Sequence, residues 1–249
     1  MSSSKPQLVY WDIRALAEPI RLLLRYLQVD FEDKRISFGD TSSIPSVLTP
    51  WFIQKYSHGL DFPNLPFYID GDVRISQSFA ILQYIARKYN LYGDTIEEQA
   101  TIDMVSQVVN DLRWAAWVTY NDPNFRQIKD EWKTSVPERL GDLNKFLEGK
   151  EFVLGTKISF ADFLVYESLE WYRQCIPEVF EQPELANLEN FQKRIAEIPQ
   201  IKEYLNSDNF KSWPFFAPIV NFGFSKDEDF KALPFSYRNF VAKYPLDPQ

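Results

Sequence analysis

The residue types that carry most side-chain chemistry are scarce in this chain: His58 is its only histidine and Cys175 its only cysteine. Those counts argue against zinc centres, Cys–His nucleophile pairs and Ser–His triads, which need such groups in matched sets. A lone cysteine cannot close an intramolecular disulfide, which fits a reducing, cytoplasmic setting. Cys175 itself reads as a small buried hydrophobe and His58 as a loop residue. Gln77 and Ser78 stand at the start of an apolar helical run, where unpaired N–H groups and the helix dipole favour an anion. Simple N-capping by Ser78 is the plainer reading. Phe62, flanked by Asp61 and Pro63 in a loop, is hard to bury within its own domain, and packing under that loop is the plainer reading. The net charge is −8, from 27 Lys and Arg against 35 Asp and Glu, without a basic cluster, so nucleic acid is not an expected partner.

Positioning such groups takes a scaffold, and the chain divides into two unlike halves. Residues 7–90 read as strand, helix, strand, a polar loop over 40–50, a hairpin and a helix. The first strand is the apolar run Gln7-Leu8-Val9-Tyr10-Trp11. Leu16 to Leu27 has helical spacing with Pro19 in its first turn, and Phe31 to Phe38 alternates as a second strand. Residues 67–75 carry an Asp70-Gly71 turn, a strong hairpin signal, and Ser78 to Tyr89 is helical. The order predicts a compact α/β unit on a mixed sheet. From residue 95 onward the pattern is helical, near 96–121, 129–148, 160–174 and 188–197, with Pro123, Pro137, Pro177 and Pro199 as punctuation. Ser159 is a natural N-cap with Asp162 at N3. No apolar run approaches the ~20 residues needed to cross a membrane, and Met1 to Pro6 has no signal-peptide core, so neither membrane nor secretion is expected.

Several segments then read together: Tyr10-Trp11-Asp12-Ile13-Arg14, Leu60 to Pro66, Ile69-Asp70-Gly71, Gln77-Ser78, Ala80 to Lys88 and Ile158 to Phe163. In order and spacing they resemble the cytosolic glutathione transferases, the mu class in particular. That resemblance implies an α/β plus all-α fold. A thioredoxin-like glutathione-binding domain with a mixed sheet spans 1–90, with a linker at 91–95. A helical bundle domain with a hydrophobic acceptor site spans 96–225, and a C-terminal extension spans 226–249. It implies conjugation of the glutathione thiolate to hydrophobic electrophiles, a detoxifying activity, in a homodimer. Glutathione is then a co-substrate, with no tightly bound cofactor and no metal.

The same resemblance assigns roles to residues. Tyr10 is the catalytic group, donating its hydroxyl to the glutathione sulfur. A free thiol near pKa 8.5 is a few per cent ionised at neutral pH, and half-ionisation at pH 7 needs roughly 1.5 units, about 2 kcal/mol. One charge-assisted hydrogen bond supplies about 1.5–3 kcal/mol. Trp11, Leu16, Trp51, Lys55 and Asn64 belong to the glutathione site; Trp11, Lys55 and Asn64 hold the glycyl end. Leu65, before a cis Pro66, offers its backbone to the cysteinyl residue. Gln77 and Ser78 take the γ-glutamyl carboxylate, and Asp111 reaches the γ-glutamyl amine across the dimer. Ile13, Leu16, Trp114, Tyr120 and the tail around Trp213 to Phe222 line the acceptor site. Phe62, Arg87 and Asp103 belong to the dimer contact.

Some positions depart from the family pattern. Ala15 stands where a glycine is usual, the loop Thr41 to Pro50 is longer and lacks a cation, and Gln83 replaces an interface arginine. The tail is rich in Phe and Pro (Phe230, Pro234, Phe235, Phe240). These departures keep two alternatives open: a glutathione-dependent isomerase, and a non-catalytic ligand-binding or structural protein on the same fold.

Overall fold

The opening apolar run forms strand β1 (Gln7–Trp11), with Leu8, Val9 and Tyr10 all buried. Burial on both faces is what a central strand requires. The computed structural model describes residues 5–40 and 42–225. Helix α1 (Glu18–Tyr26) starts with Pro19, whose missing N–H costs nothing in the first turn, and leads to β2 (Glu32–Ile36).

Residues 40–50, expected to be loop, contain helix α2 (Ile44–Phe52). The loop signals there are helix-start signals: Ser43 caps the helix, accepting from the Ser46 N–H at 3.3 Å, and Pro45 lies in the first turn. Strands β3 (Phe67–Asp70) and β4 (Val73–Ser76) complete a sheet of order β2-β1-β3-β4, and α3 (Ser78–Lys88) follows. β1 runs parallel to β2 and antiparallel to β3, so the sheet is mixed. Asp70 pairs with Val73, which makes Gly71 and Asp72 the hairpin turn. Gly71, at φ +62°, takes the first central position, one residue later than the Asp-Gly reading implies.

The second half is helical: α4 (Ile96–Asn121), α5 (Phe125–Phe146), α6 (Phe160–Cys175), α7 (Ala186–Glu197) and α8 (Pro199–Leu205). One proline does not punctuate as expected: Pro137 lies inside α5, whereas Pro199 falls between α7 and α8 and opens the latter, where proline is well tolerated. Helix α6 runs through the middle and packs against α1, α4 and α7. Residues 226–249, including the tail aromatics, lie outside the described residues.

The start of α6 is held by Asp162, which is fully buried. Its carboxylate accepts from the Val153 N–H at 2.7 Å, the Ser159 N–H at 2.7 Å and the Ser159 hydroxyl at 2.9 Å. The cap expected from Ser159 and Asp162 is therefore present, and it also ties down the preceding turn. Replacing Asp162 with Ala strands two buried N–H donors, so Asp162→Ala is expected to cost about 3 kcal/mol. Chemical denaturation of both proteins measures this; a loss under about 1 kcal/mol would contradict the assigned role.

Candidate functional site

A cavity of about 350 Å³ opens beside the C-terminal end of β1. Tyr10 and Trp11 from β1, and Ile13, Ala15 and Leu16 from the loop after it, form one wall. Asn110, Arg113, Trp114 and Trp117 form the facing wall, at the three- and four-residue spacing that puts side chains on one face of α4. Trp171 of α6 lines it too, and Phe216, Ala217 and Ile219 close the side. The lining is thus chiefly apolar, and rich in aromatic rings.

Tyr10 is buried, 5% exposed, and burial pushes its hydroxyl up to about 12. A hydrogen bond from the Leu16 backbone N–H, then the charges of Arg113 and Arg21, pull the other way. At neutral pH the group is a protonated O–H donor. Arg113 is also buried, with its guanidinium 4.3 Å from the Trp171 ring centroid and Nη2 donating to the Ala15 carbonyl at 3.4 Å. No carboxylate among the described residues lies within ion-pair distance of it. Burial pushes it down to about 10, against the pull of Glu167 and Tyr10. It stays cationic, so the cavity contains a positive charge that no neighbouring carboxylate neutralises.

The expected glutathione-site residues lie on several elements. Trp11 is half-buried and stacks on Phe38 with centroids 4.7 Å apart. Leu16 is half-buried and lines the cavity. Trp51, at the end of α2, is buried and packs against both His58 and Phe67, whose rings also meet each other. Lys55 is half-buried, its ammonium 5.3 Å from the Tyr56 ring centroid. The Leu65–Pro66 bond is cis. Gln77, not Ser78, is the N-cap of α3, and its backbone sits at φ +75°. A glutamine held in that region is strained, as residues at ligand sites often are. Ser78, the first residue of α3, is buried.

Two expectations are corrected. Tyr120 does not line the cavity. It is wholly buried, donates to the Trp171 carbonyl at 2.7 Å and packs among Phe125, Trp132, Phe216 and Phe222. It follows Val109, Arg113 and Ala116 on the core side of α4, rotated away from the Asn110–Trp114–Trp117 stripe. Nor is the Leu65 backbone wholly free, because its N–H donates to the Asn64 side chain at 2.9 Å. Ile13 and Trp114 do line the cavity, with Trp114 still 65% exposed.

Asp103 and Asp111 are exposed on α4. Asp103 accepts from the Tyr92 hydroxyl at 2.5 Å, and Arg87 lies 4.0 Å over the Tyr92 ring, so Arg87 and Asp103 share one aromatic. Phe62 is 77% exposed. Sequence reasoning missed Arg113, Trp117 and Trp171. The signal for Arg113 was available: it is a lone cation on the apolar face carrying Val109, Ala116 and Tyr120. Trp171 gave none, since an aromatic on a helix that also carries Phe163, Leu164, Val165 and Leu169 reads as core.

Comparison with known proteins bears on the same elements. Residues 6–87 match the family model described as Glutathione S-transferase, N-terminal domain, and residues 110–208 match Glutathione S-transferase, C-terminal domain. The chain is 43% identical over 209 residues to a glutathione S-transferase of Tyrophagus putrescentiae, covering 84% of this chain and 93% of that one. It is 39% identical over 211 residues to Glutathione S-transferase Mu 2 of Mus musculus, covering 85% and 95%. Among solved structures, the glutathione S-transferase Blo t 8 superposes with a TM-score of 0.77 at 32% identity, covering 87% of this chain and 99% of that one.

The buried phenol has a measurable consequence. Because Tyr10 is raised to about 12, the ligand-free protein and Tyr10→Phe are expected to show superimposable tyrosinate absorbance titrations up to about pH 10. An extra tyrosinate in the wild type below that pH would show that the hydroxyl is not desolvated.

Proposed function

The chain belongs to the glutathione S-transferase family, and from that premise we propose that it ionises the thiol of bound glutathione and adds the thiolate to apolar electrophiles in the aromatic cavity. The observation that carries this reading is the protonated, buried hydroxyl of Tyr10 on the wall of that cavity. Such a donor stabilises a sulfur anion more than a neutral thiol, and low local polarity strengthens the bond. Arg113 adds a positive charge on the facing wall. The thiol proton passes to solvent, the sulfur lone pair forms the new S–C bond, and the displaced electron pair leaves with a leaving group or moves onto the acceptor's adjacent atom. Glutathione is a consumed co-substrate.

In this reading Gln77 and Ser78 take the γ-glutamyl carboxylate at the start of α3, where helix N–H groups are unpaired. Trp11, Lys55 and Asn64 hold the glycyl end, Trp51 belongs to the same glutathione site, and Leu65 meets the cysteinyl backbone once Asn64 releases its N–H. Ile13, Leu16 and Trp114 contact the acceptor together with Trp117 and Trp171. The protein acts as a homodimer, supported by the bare ring of Phe62 and by exposed Met104 and Val108 on α4. Asp111 then serves the partner's ligand, and Arg87 and Asp103 border the contact. A detoxifying role in the cytoplasm follows from the same reading. No observation favours the isomerase, and an open cavity is not what a pocket-blocked structural derivative would have.

The test is the ultraviolet thiolate absorbance of bound glutathione between about pH 5 and 9 in the wild type and Tyr10→Phe. The wild type should ionise well below the free tripeptide and the variant near it, with kcat/KM falling about 10- to 100-fold. A wild-type complex that titrates like free glutathione would refute the transferase reading.

A further inference from the structure

Among the described residues lining the cavity, Arg113 is the one cation and none is an acid. A guanidinium carries five N–H donors and no acceptor. Among the described residues Arg113 makes one hydrogen bond, from Nη2 to the Ala15 carbonyl at a long 3.4 Å. The face of Trp171 lies beside it, with the ring centroid 4.3 Å from the guanidinium carbon. Arg113 is 4% exposed, so the open space left to its donors is the cavity that it lines.

The other two buried arginines of the described core are treated differently. Arg14 takes both oxygens of Glu167, and Arg21 bonds Glu18, Asp33 and the Ile13 carbonyl. Both are neutralised where they stand. Arg113 keeps its charge and most of its donors without a protein acceptor.

In the proposed binding mode every charged end of glutathione already has its holders on the α/β half. Arg113 stands across the cavity on α4, in one stripe with Trp114 and Trp117, where the acceptor lies. The phenol expected to meet the acceptor there, Tyr120, is turned into the core and bonded to the Trp171 carbonyl. Around Arg113 the wall is flat and apolar: the rings of Trp117 and Trp171 meet Phe216 edge-on, with centroids 5.9 and 4.6 Å away.

We propose that Arg113 makes this an acceptor site for flat aromatic electrophiles that carry a carboxylate: the ring lies among Trp117, Trp171 and Phe216, and the carboxylate accepts the guanidinium donors that the protein leaves open. Naming the acceptor class in this way rests on the transferase reading. A charge-assisted bond is stronger where local polarity is low. A neutral molecule of the same shape forfeits it and leaves the cation unmet, so the site discriminates by charge. Elsewhere a chain of net charge −8 repels such a ligand.

Naphthoate and naphthamide of the same substitution differ in charge and little in shape, and neither reacts with a thiol. With S-methylglutathione filling the glutathione site, calorimetric titration of the wild type should show the carboxylate bound about tenfold more tightly than the amide. Arg113→Met, apolar and of similar reach, should bring the two within about twofold, and Arg113→Lys, which retains the charge, should keep part of the preference. Reacting acceptors give a second readout. From a chloronitrobenzoate or its carboxamide the sulfur displaces chloride, the S–C bond forming as the C–Cl bond breaks. The ratio of their kcat/KM values should fall about tenfold from wild type to Arg113→Met, and any effect of Arg113 on the thiolate cancels in that ratio. A wild type that binds the two naphthalenes equally, or a folded Arg113→Met that keeps the preference, would overturn the proposal. Should Arg113→Met not fold, the wild type and Arg113→Lys decide it. Failure of the transferase reading looks different: neither nitro compound is conjugated, whereas the binding preference is read all the same.

Discussion

Arg14 and Glu167 meet at 2.5 Å between Nη2 and Oε2, with a second bond from Nε to Oε1 at 3.2 Å, where neither side chain reaches solvent. The guanidinium is roofed by the rings of Phe215 at 4.1 Å and Phe210 at 5.0 Å. A buried pair of this kind is poor proof of extra stability, since desolvation offsets much of its attraction. Its value here is geometric. Arg14 lies in the loop after β1, Glu167 in the middle of α6, and Phe210 and Phe215 in the tail, so one residue fixes three separate segments. Removing Arg14 leaves the Glu167 carboxylate buried without its partner, which typically costs about 3–5 kcal/mol, whereas without Glu167 the guanidinium keeps only Glu170, at 3.8 Å. The halves therefore cannot slide without breaking a contact the fold cannot replace. A neighbouring cluster continues the seam: Arg21 bonds Glu18 and Asp33, and Tyr204 of α8 donates to Glu18 at 2.8 Å.

That seam explains why the cavity is placed where it is. Its walls come from β1, α4, α6 and the tail, none adjacent in sequence, and all are tied to the loop at Arg14 and Ala15. Arg113 sits at this junction as a charge facing aromatics instead of a carboxylate. Burying it so costs stability, offset in part by the Ala15 carbonyl, the Trp171 ring and the field of Glu167. An acidic chain with net charge −8 thus concentrates positive potential where the thiolate would lie.

Much of this was legible beforehand. The mixed sheet, its hairpin, the long helix over 96–121 and the Ser159–Asp162 cap follow from periodicity and turn chemistry, which are local. Helix α2 was not legible, because Ser43, Pro45 and Pro50 signal loops and helix starts alike. Tyr120 was misread for a different reason. A tyrosine on a helix can face core or cavity, and a rotation of less than a third of a turn decides which. The strain at Gln77, at φ +75°, is invisible in sequence, whereas Ala15, at φ +33°, stands where a glycine is usual. Arg113 could have been found from its lone charge on an apolar face, whereas the bonds from the Arg14 and Ala15 N–H groups to the Pro214 and Phe215 carbonyls join distant parts of the chain.

The bond between the Asn64 side chain and the Leu65 N–H bears on how the ligand-free protein endures. An unmet backbone donor beside a buried residue would cost free energy whenever the site is empty. The asparagine acts as an internal placeholder for a peptide carbonyl, so the resting enzyme carries no such debt. In the proposed binding mode, arrival of the tripeptide at that point is an exchange of partners: one hydrogen bond breaks as another forms, and the net heat from that contact is small. Selectivity there must come from shape and from the neighbouring charges. An intruding peptide with the right carbonyl but the wrong ends would gain little from the swap.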